Sequence, residues 1–113
     1  MPYIQVHIGQ KLTAPQKEAL RDELGRLIPI IPGKTEPDLI VHIQDGGSLS
    51  MGGSEAPAAY IDLRVYTKTD PEAKKKFARE LFAFITREFG IETGRQYLTI
   101  GEYDNWGYDG EFH

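Results

Sequence analysis

No cysteine occurs anywhere in the 113 residues. Disulfides, thiolate catalysis and cysteine-based zinc sites are therefore excluded, and the redox compartment is left open. Long apolar runs are missing too: none approaches the about 18 residues of a membrane span, so no membrane partner is expected. Nor is there an excess of basic charge. Lys and Arg number 13 against 17 Asp and Glu, a net charge of −4, which argues against a general nucleic-acid binder that must displace counterions. The N-terminus lacks the basic region and long apolar core of a secretory signal. What is present is ordinary: 40% hydrophobic and 27% charged residues, enough for one modest core. Residues 1–113 read as a single domain, with a cytoplasmic location expected.

The chain repeats itself. PYIQVHIGQK at 2–11 matches AYIDLRVYTK at 59–68 at an offset of 57 residues. The same offset lays RDELGRLI (21–28) on ARELFAFI (78–85), Gly33 on Gly90, and LIVHI (39–43) on QYLTI (96–100). Pseudo-repeats at 2–44 and 59–101 follow, with a tail at 102–113. Each half opens with an alternating strand, at about 2–8 and 58–66. Helix-start signals come next: Thr13 with Gln16 as a capping box, and Asp70-Pro71 as an N-cap before a first-turn proline. The helices run at about 14–28 and 71–89, with apolar stripes Leu20, Leu24, Leu27, Ile28 and Phe77, Leu81, Phe84, Ile85. Pro29–Gly33 and Gly90 end them, and second strands follow at 38–44 and 95–101.

Strand–helix–strand requires a crossover, so the strands of each half are parallel. The expected fold is α+β: duplicated β-α-β units forming a four-stranded mixed sheet with both helices on one face. In the strand at 59–66, Ala59, Ile61, Leu63 and Val65 suit the helices. Tyr60, Asp62, Arg64 and Tyr66 face the other way, and this mixture suits a subunit interface better than bulk water. Residues 45–57, DGGSLSMGGSEAP, read as a flexible connector without phosphate-loop spacing. The aromatic tail, with Trp106, Tyr108 and Phe112, reads as a docked short strand or lid.

Several local patterns stand in a fixed order: Met1-Pro2 opening a strand; Gly33-Lys34 before a strand with Val41-His42; GlyGlySerGlu at 52–55 with Pro57 after it; Arg95-x-Tyr97; and Trp106-Gly107-Tyr108 before Phe112. Together with the duplication they resemble the tautomerase superfamily, the group containing macrophage migration inhibitory factor and 4-oxalocrotonate tautomerase. That resemblance implies a homotrimer whose sheets form a central barrel, with sites between subunits. It implies that Met1 is removed, that Pro2 is the catalytic base, and that no cofactor or metal takes part. The pocket it implies is lined by the backbone and side chain of Lys34, the backbone at Tyr66, Tyr97 from an adjacent subunit, Thr99 where relatives have an asparagine, and Trp106, Tyr108 and Phe112. Two departures matter. Ala58 and Ile61 stand where the inhibitory factor has a cysteine pair, and Tyr66, Thr67 and Lys68 stand where a dehalogenase relative has two arginines.

The implied chemistry is keto–enol tautomerisation of a small α-keto acid such as phenylpyruvate, an isomerase reaction. It needs a base near neutral pH and donors for the enolate oxygen. An α-amino group titrates near about 8; burial or a neighbouring cation such as Lys34 would lower it. The proline ring fixes φ and so aims its nitrogen. Ordinary readings stand beside these. Lys34 alone reads as a solvated lysine, Tyr97 as packing, and Arg64–Asp62 as a barrel-lining pair. His7 and His42 lack a second ligand at metal spacing. Glu102, Asp104, Asp109 and Glu111 form an acidic cluster, with Asp104 or Glu111 available to orient water in a hydratase, dehalogenase or decarboxylase. A non-enzymatic, cytokine-like binding protein is the remaining alternative.

Overall fold

A computed structural model describes all residues, 1–113. Strand β1 (Pro2–Ile8) leads into α1 (Ala14–Leu27) and β2 (Ile40–Asp45); β3 (Ala59–Tyr66) leads into α2 (Pro71–Phe89) and β4 (Gln96–Tyr103). A short hairpin, β5 (Gly107–Tyr108) and β6 (Glu111–Phe112), follows. The main sheet has the order β2-β1-β3-β4. The pairs β1–β2 and β3–β4 are parallel and β1–β3 is antiparallel, so the sheet is mixed, as the crossover argument requires.

The helix ends follow the local chemistry of the sequence. Thr13 accepts from Gln16 N (3.2 Å), and the Gln16 side chain accepts from Thr13 N (2.9 Å), a complete capping box. Asp70 accepts from Ala73 N at 3.3 Å, with Pro71 at the first helical position. Gly90 closes α2 at φ +70, donating to Thr86 O at 3.0 Å. Pro29 cannot continue α1, and Ile28–Ile30 tighten into a single 3-10 turn.

Alternation sorts the sheet into two faces. Ile4, Val6, Ile8, Ile61, Leu63 and Val65 are buried beneath the helices, meeting Leu20, Leu24, Phe77, Leu81 and Ile85 in one core. The opposite face stays open: Ile40 is 63% and Tyr97 61% exposed, beside Tyr60 and Tyr103. Two strands differ most from the expectation. The second strand begins at Ile40 rather than 38, because Asp38 and Leu39 donate their N–H groups to Thr35 O and Glu36 O in a turn through Pro37. The last strand begins at Gln96 and runs on to Tyr103, where it still pairs with Tyr66 of β3.

Candidate functional site

The structure gathers the predicted residues in three places. The first lies at the start of β1. Pro2 is buried and sits opposite Val65 in the centre of the sheet. One residue on from Val65, Tyr66 donates its N–H to Met1 O at 3.3 Å. Lys34 arrives from the loop after α1, where Gly33 turns the chain at φ +80. Lys34 is only 9% exposed, and its ammonium donates to Tyr66 O at 2.9 Å. That is its one hydrogen bond, and no carboxylate pairs with it. An ammonium has three N–H donors, so a nearly buried cation keeps donors and charge free for an anion. The Lys34 backbone N–H is engaged internally, donating to Ile31 O at 3.1 Å.

The terminal amine, carried by Met1, is held below its usual range. Its burial is the main cause and the Lys34 charge the second; Asp38 acts in the opposite direction. The Tyr66 ring stands 6.5 Å from that of Tyr108, which stacks at 4.4 Å on His113. The tail hairpin therefore reaches this end of the sheet.

The second place is a cavity of about 420 Å³ between the open sheet face and the tail. Tyr3, Arg64, Tyr103, Trp106 and Phe112 line it. Arg64 lies 5.9 Å from the centre of the Tyr3 ring and donates to Asp62 at 3.1 Å, so the cation is already matched. Tyr3 and Tyr103 were not singled out from the sequence, although the alternation that turns Arg64 outward also turns Tyr3 outward.

The third place is the far end of the same face. Tyr97 pairs with Tyr60, whereas Pro2 pairs with Val65. Five residues of β3 separate the two levels, about 16 Å along a strand. One chain does not bring Tyr97 to Pro2. Thr99 shares a hydrogen bond of 2.7 Å with the Tyr60 hydroxyl.

Two acidic and loop readings change. Glu102 is a structural group: it accepts from Thr69 N (2.6 Å), Thr69 Oγ1 (3.0 Å) and Lys74 Nζ (3.1 Å). The connector at 45–57 is tied down rather than free, because the Arg95 guanidinium donates to four of its carbonyls. No three His, Asp or Glu side chains converge in a way that could hold a metal, and no helix is long and apolar enough to cross a membrane.

The family model for macrophage migration inhibitory factor matches residues 1–110. A homolog of that factor from Trichuris trichiura is 30% identical over 87 residues, covering 75% of this chain and 76% of the relative. The crystal structure of Leishmania major MIF2 is similar at a TM-score of 0.90 and 26% identity, over 100% of this chain and 97% of that one. The structure of Pt0534 inactivated by 2-oxo-3-pentynoate shares the fold at a TM-score of 0.84 and 18% identity, over 96% of this chain and 92% of that one. With a buried proline beginning the central strand, a nearly buried lysine beside it and a duplicated strand–helix–strand plan, the chain belongs to the macrophage migration inhibitory factor family.

Proposed function

We propose that this protein is a keto–enol tautomerase acting on a small α-keto acid, with Pro2 as the base after removal of Met1. The observation that carries this reading is Lys34: a nearly buried lysine whose ammonium has one hydrogen bond and no counter-ion, close enough to the terminal amine to lower its pKa. Removing Met1 would move that amine one residue inward, onto a ring nitrogen of fixed direction. It would also take away the carbonyl that Tyr66 N–H now reaches at 3.3 Å. Free N–H groups on Lys34 and the Tyr66 N–H are then left for the two oxygens of a carboxylate. The neutral amine removes the proton from carbon or, in the ketonising direction, delivers it there.

Pro2 and Tyr97 stand at opposite ends of β3, so a phenol that donates to the enolate oxygen comes in this reading from a second copy. The open aromatic face supports self-association, which this reading takes as an assembly of three chains. The inhibitor bound in the structure of similar fold, 2-oxo-3-pentynoate, is itself an α-keto acid, which agrees with a keto-acid site. Trp106 and Phe112 in the neighbouring cavity favour an aromatic substrate tail.

The test is ketonisation of phenylenolpyruvate by the wild type and by Pro2→Ala, with intact mass measured on both. The expected result is loss of Met1 and a fall in kcat/KM of about a hundredfold or more on substitution. Equal rates, or a retained Met1 that leaves Pro2 as an amide, would overturn the reading in favour of a binding protein.

A further inference from the structure

Arg95 stands in the turn Thr93–Arg95 immediately before β4, and its side chain crosses to the connector between the two halves. Nε donates to Pro57 O at 3.0 Å, Nη1 to Met51 O at 3.3 Å, and Nη2 to Ser54 O at 3.0 Å and Ala56 O at 2.9 Å. Four of the five guanidinium N–H groups are thus committed to one short stretch of backbone. No other side chain from outside residues 46–57 hydrogen-bonds to that stretch. The stretch needs such a fastener. Gly46, Gly52 and Gly53 all sit at positive φ, and glycine-rich backbone loses much entropy on ordering. Its own contribution is slight: a Met51–Ser54 bridge with bonds of 2.9 and 3.1 Å, a Ser54 turn, and an exposed bond from the Ser48 hydroxyl to Glu55 at 3.3 Å.

The fastened stretch packs beside Tyr97. Leu49, Ser50 and Met51 share a small cavity of about 100 Å³ with Tyr60, Arg95 and Tyr97. Tyr97 lies on β4, two residues after Arg95, and is 61% exposed.

We propose that Arg95 is a positioning residue: by clamping residues 51–57 it builds the wall that orients the Tyr97 phenol for a site completed on a second copy of this chain. This rests on the tautomerase reading above. The fork geometry is what matters, since an ammonium is a point donor that cannot span four carbonyls. Lysine at this position keeps the charge and loses the clamp.

The experiment compares the wild type, Arg95→Ala and Arg95→Lys as full chains. Hydrogen exchange of the Met51, Ser54 and Ala56 amides, the three in the stretch that donate hydrogen bonds, is expected to quicken by about tenfold or more in both variants. In both, kcat/KM for phenylenolpyruvate should fall by about tenfold or more, with β1 exchange unchanged. Co-expressing Arg95→Ala with Pro2→Ala under two tags then separates action within a chain from action between chains. Mixed assemblies contain sites with an intact Pro2 from one variant and an intact clamp from the other, so activity returns only if Arg95 serves a neighbour. Unchanged exchange at Met51, Ser54 and Ala56 overturns the clamp. Faster exchange with unchanged kcat/KM, or full rescue by lysine, overturns the positioning role, and no recovery in the mixture overturns action between chains. If Pro2→Ala is as active as wild type, the tautomerase reading fails on its own, and the exchange data still judge the clamp.

Discussion

Lys34 concentrates the electrostatics of the site. Its ammonium touches one carbonyl and stands near the chain terminus, so in the proposed reaction it acts in two ways at once, on a bound carboxylate and on the amine. Replacing it with methionine keeps the apolar stem and removes both effects. A lost charge-assisted hydrogen bond is worth about 1.5–3 kcal/mol, so kcat/KM should fall by about tenfold to a hundredfold. The pH profile separates the second effect from the first. The proposed base works as the free amine, and the Lys34 charge lowers the pKa of the terminal amine; without that cation the pKa rises, and the acidic limb of kcat/KM should move to higher pH. An unmoved limb would mean that burial alone tunes the amine. Both Pro2 and Lys34 could be named from the sequence because each belongs to a local pattern. Arg95 was only a letter in a motif: the carbonyls it holds lie 38–44 residues away, and only the closed sheet brings them together.

At the scale of elements, the caps were readable because they are local chemistry: Thr13, Asp70 and Gly90 act within four residues of themselves. Strand limits were harder. The start of β2 depends on whether Asp38 and Leu39 turn back on Thr35 and Glu36, and the extension of β4 to Tyr103 depends on its partner β3. Glu102 was readable as acidic but not as a strut. It joins β4 to the residues around the start of α2, where the Thr69 N–H is the main cause holding its carboxyl below the usual range, with Lys74 next. A carboxylate whose folded pKa is depressed contributes stability above its unfolded value of about 4.3, lost as pH falls through the lower folded one. Glu102→Gln should therefore lower Tm at pH 7, and the gap to wild type should narrow as the pH drops through and below about 4. A constant gap at all pH values would assign the loss to packing instead.

For the whole molecule the open face is decisive. Ile40 lies on it at the edge strand, 63% exposed in the single chain and paired with Tyr3 of β1. On a surface that stays wet, Ile40→Glu should change stability by no more than about 0.5 kcal/mol. In the proposed three-chain assembly the same charge would be driven into an interface. The expected outcome is a species of one-chain mass by light scattering for the variant against three-chain mass for the wild type. The wild type alone should show a Tm that rises with protein concentration. The duplicated architecture and the two faces were legible from alternation and offset; which copy supplies which residue was not, because periodicity in one chain carries no information about its neighbours.

Strand β1 is flanked on both sides, by β2 and by β3, in a sheet ordered β2-β1-β3-β4. On the ribosome this segment leaves the exit tunnel before either flank exists. It must wait until residue 66 has emerged before its second edge is covered, and such late, long-range closure slows folding and leaves a bare strand open to wrong partners. The piece of chain that carries the proposed base is thus made early and enclosed late, and the surroundings of Pro2 are complete only once β3 has closed over its second edge.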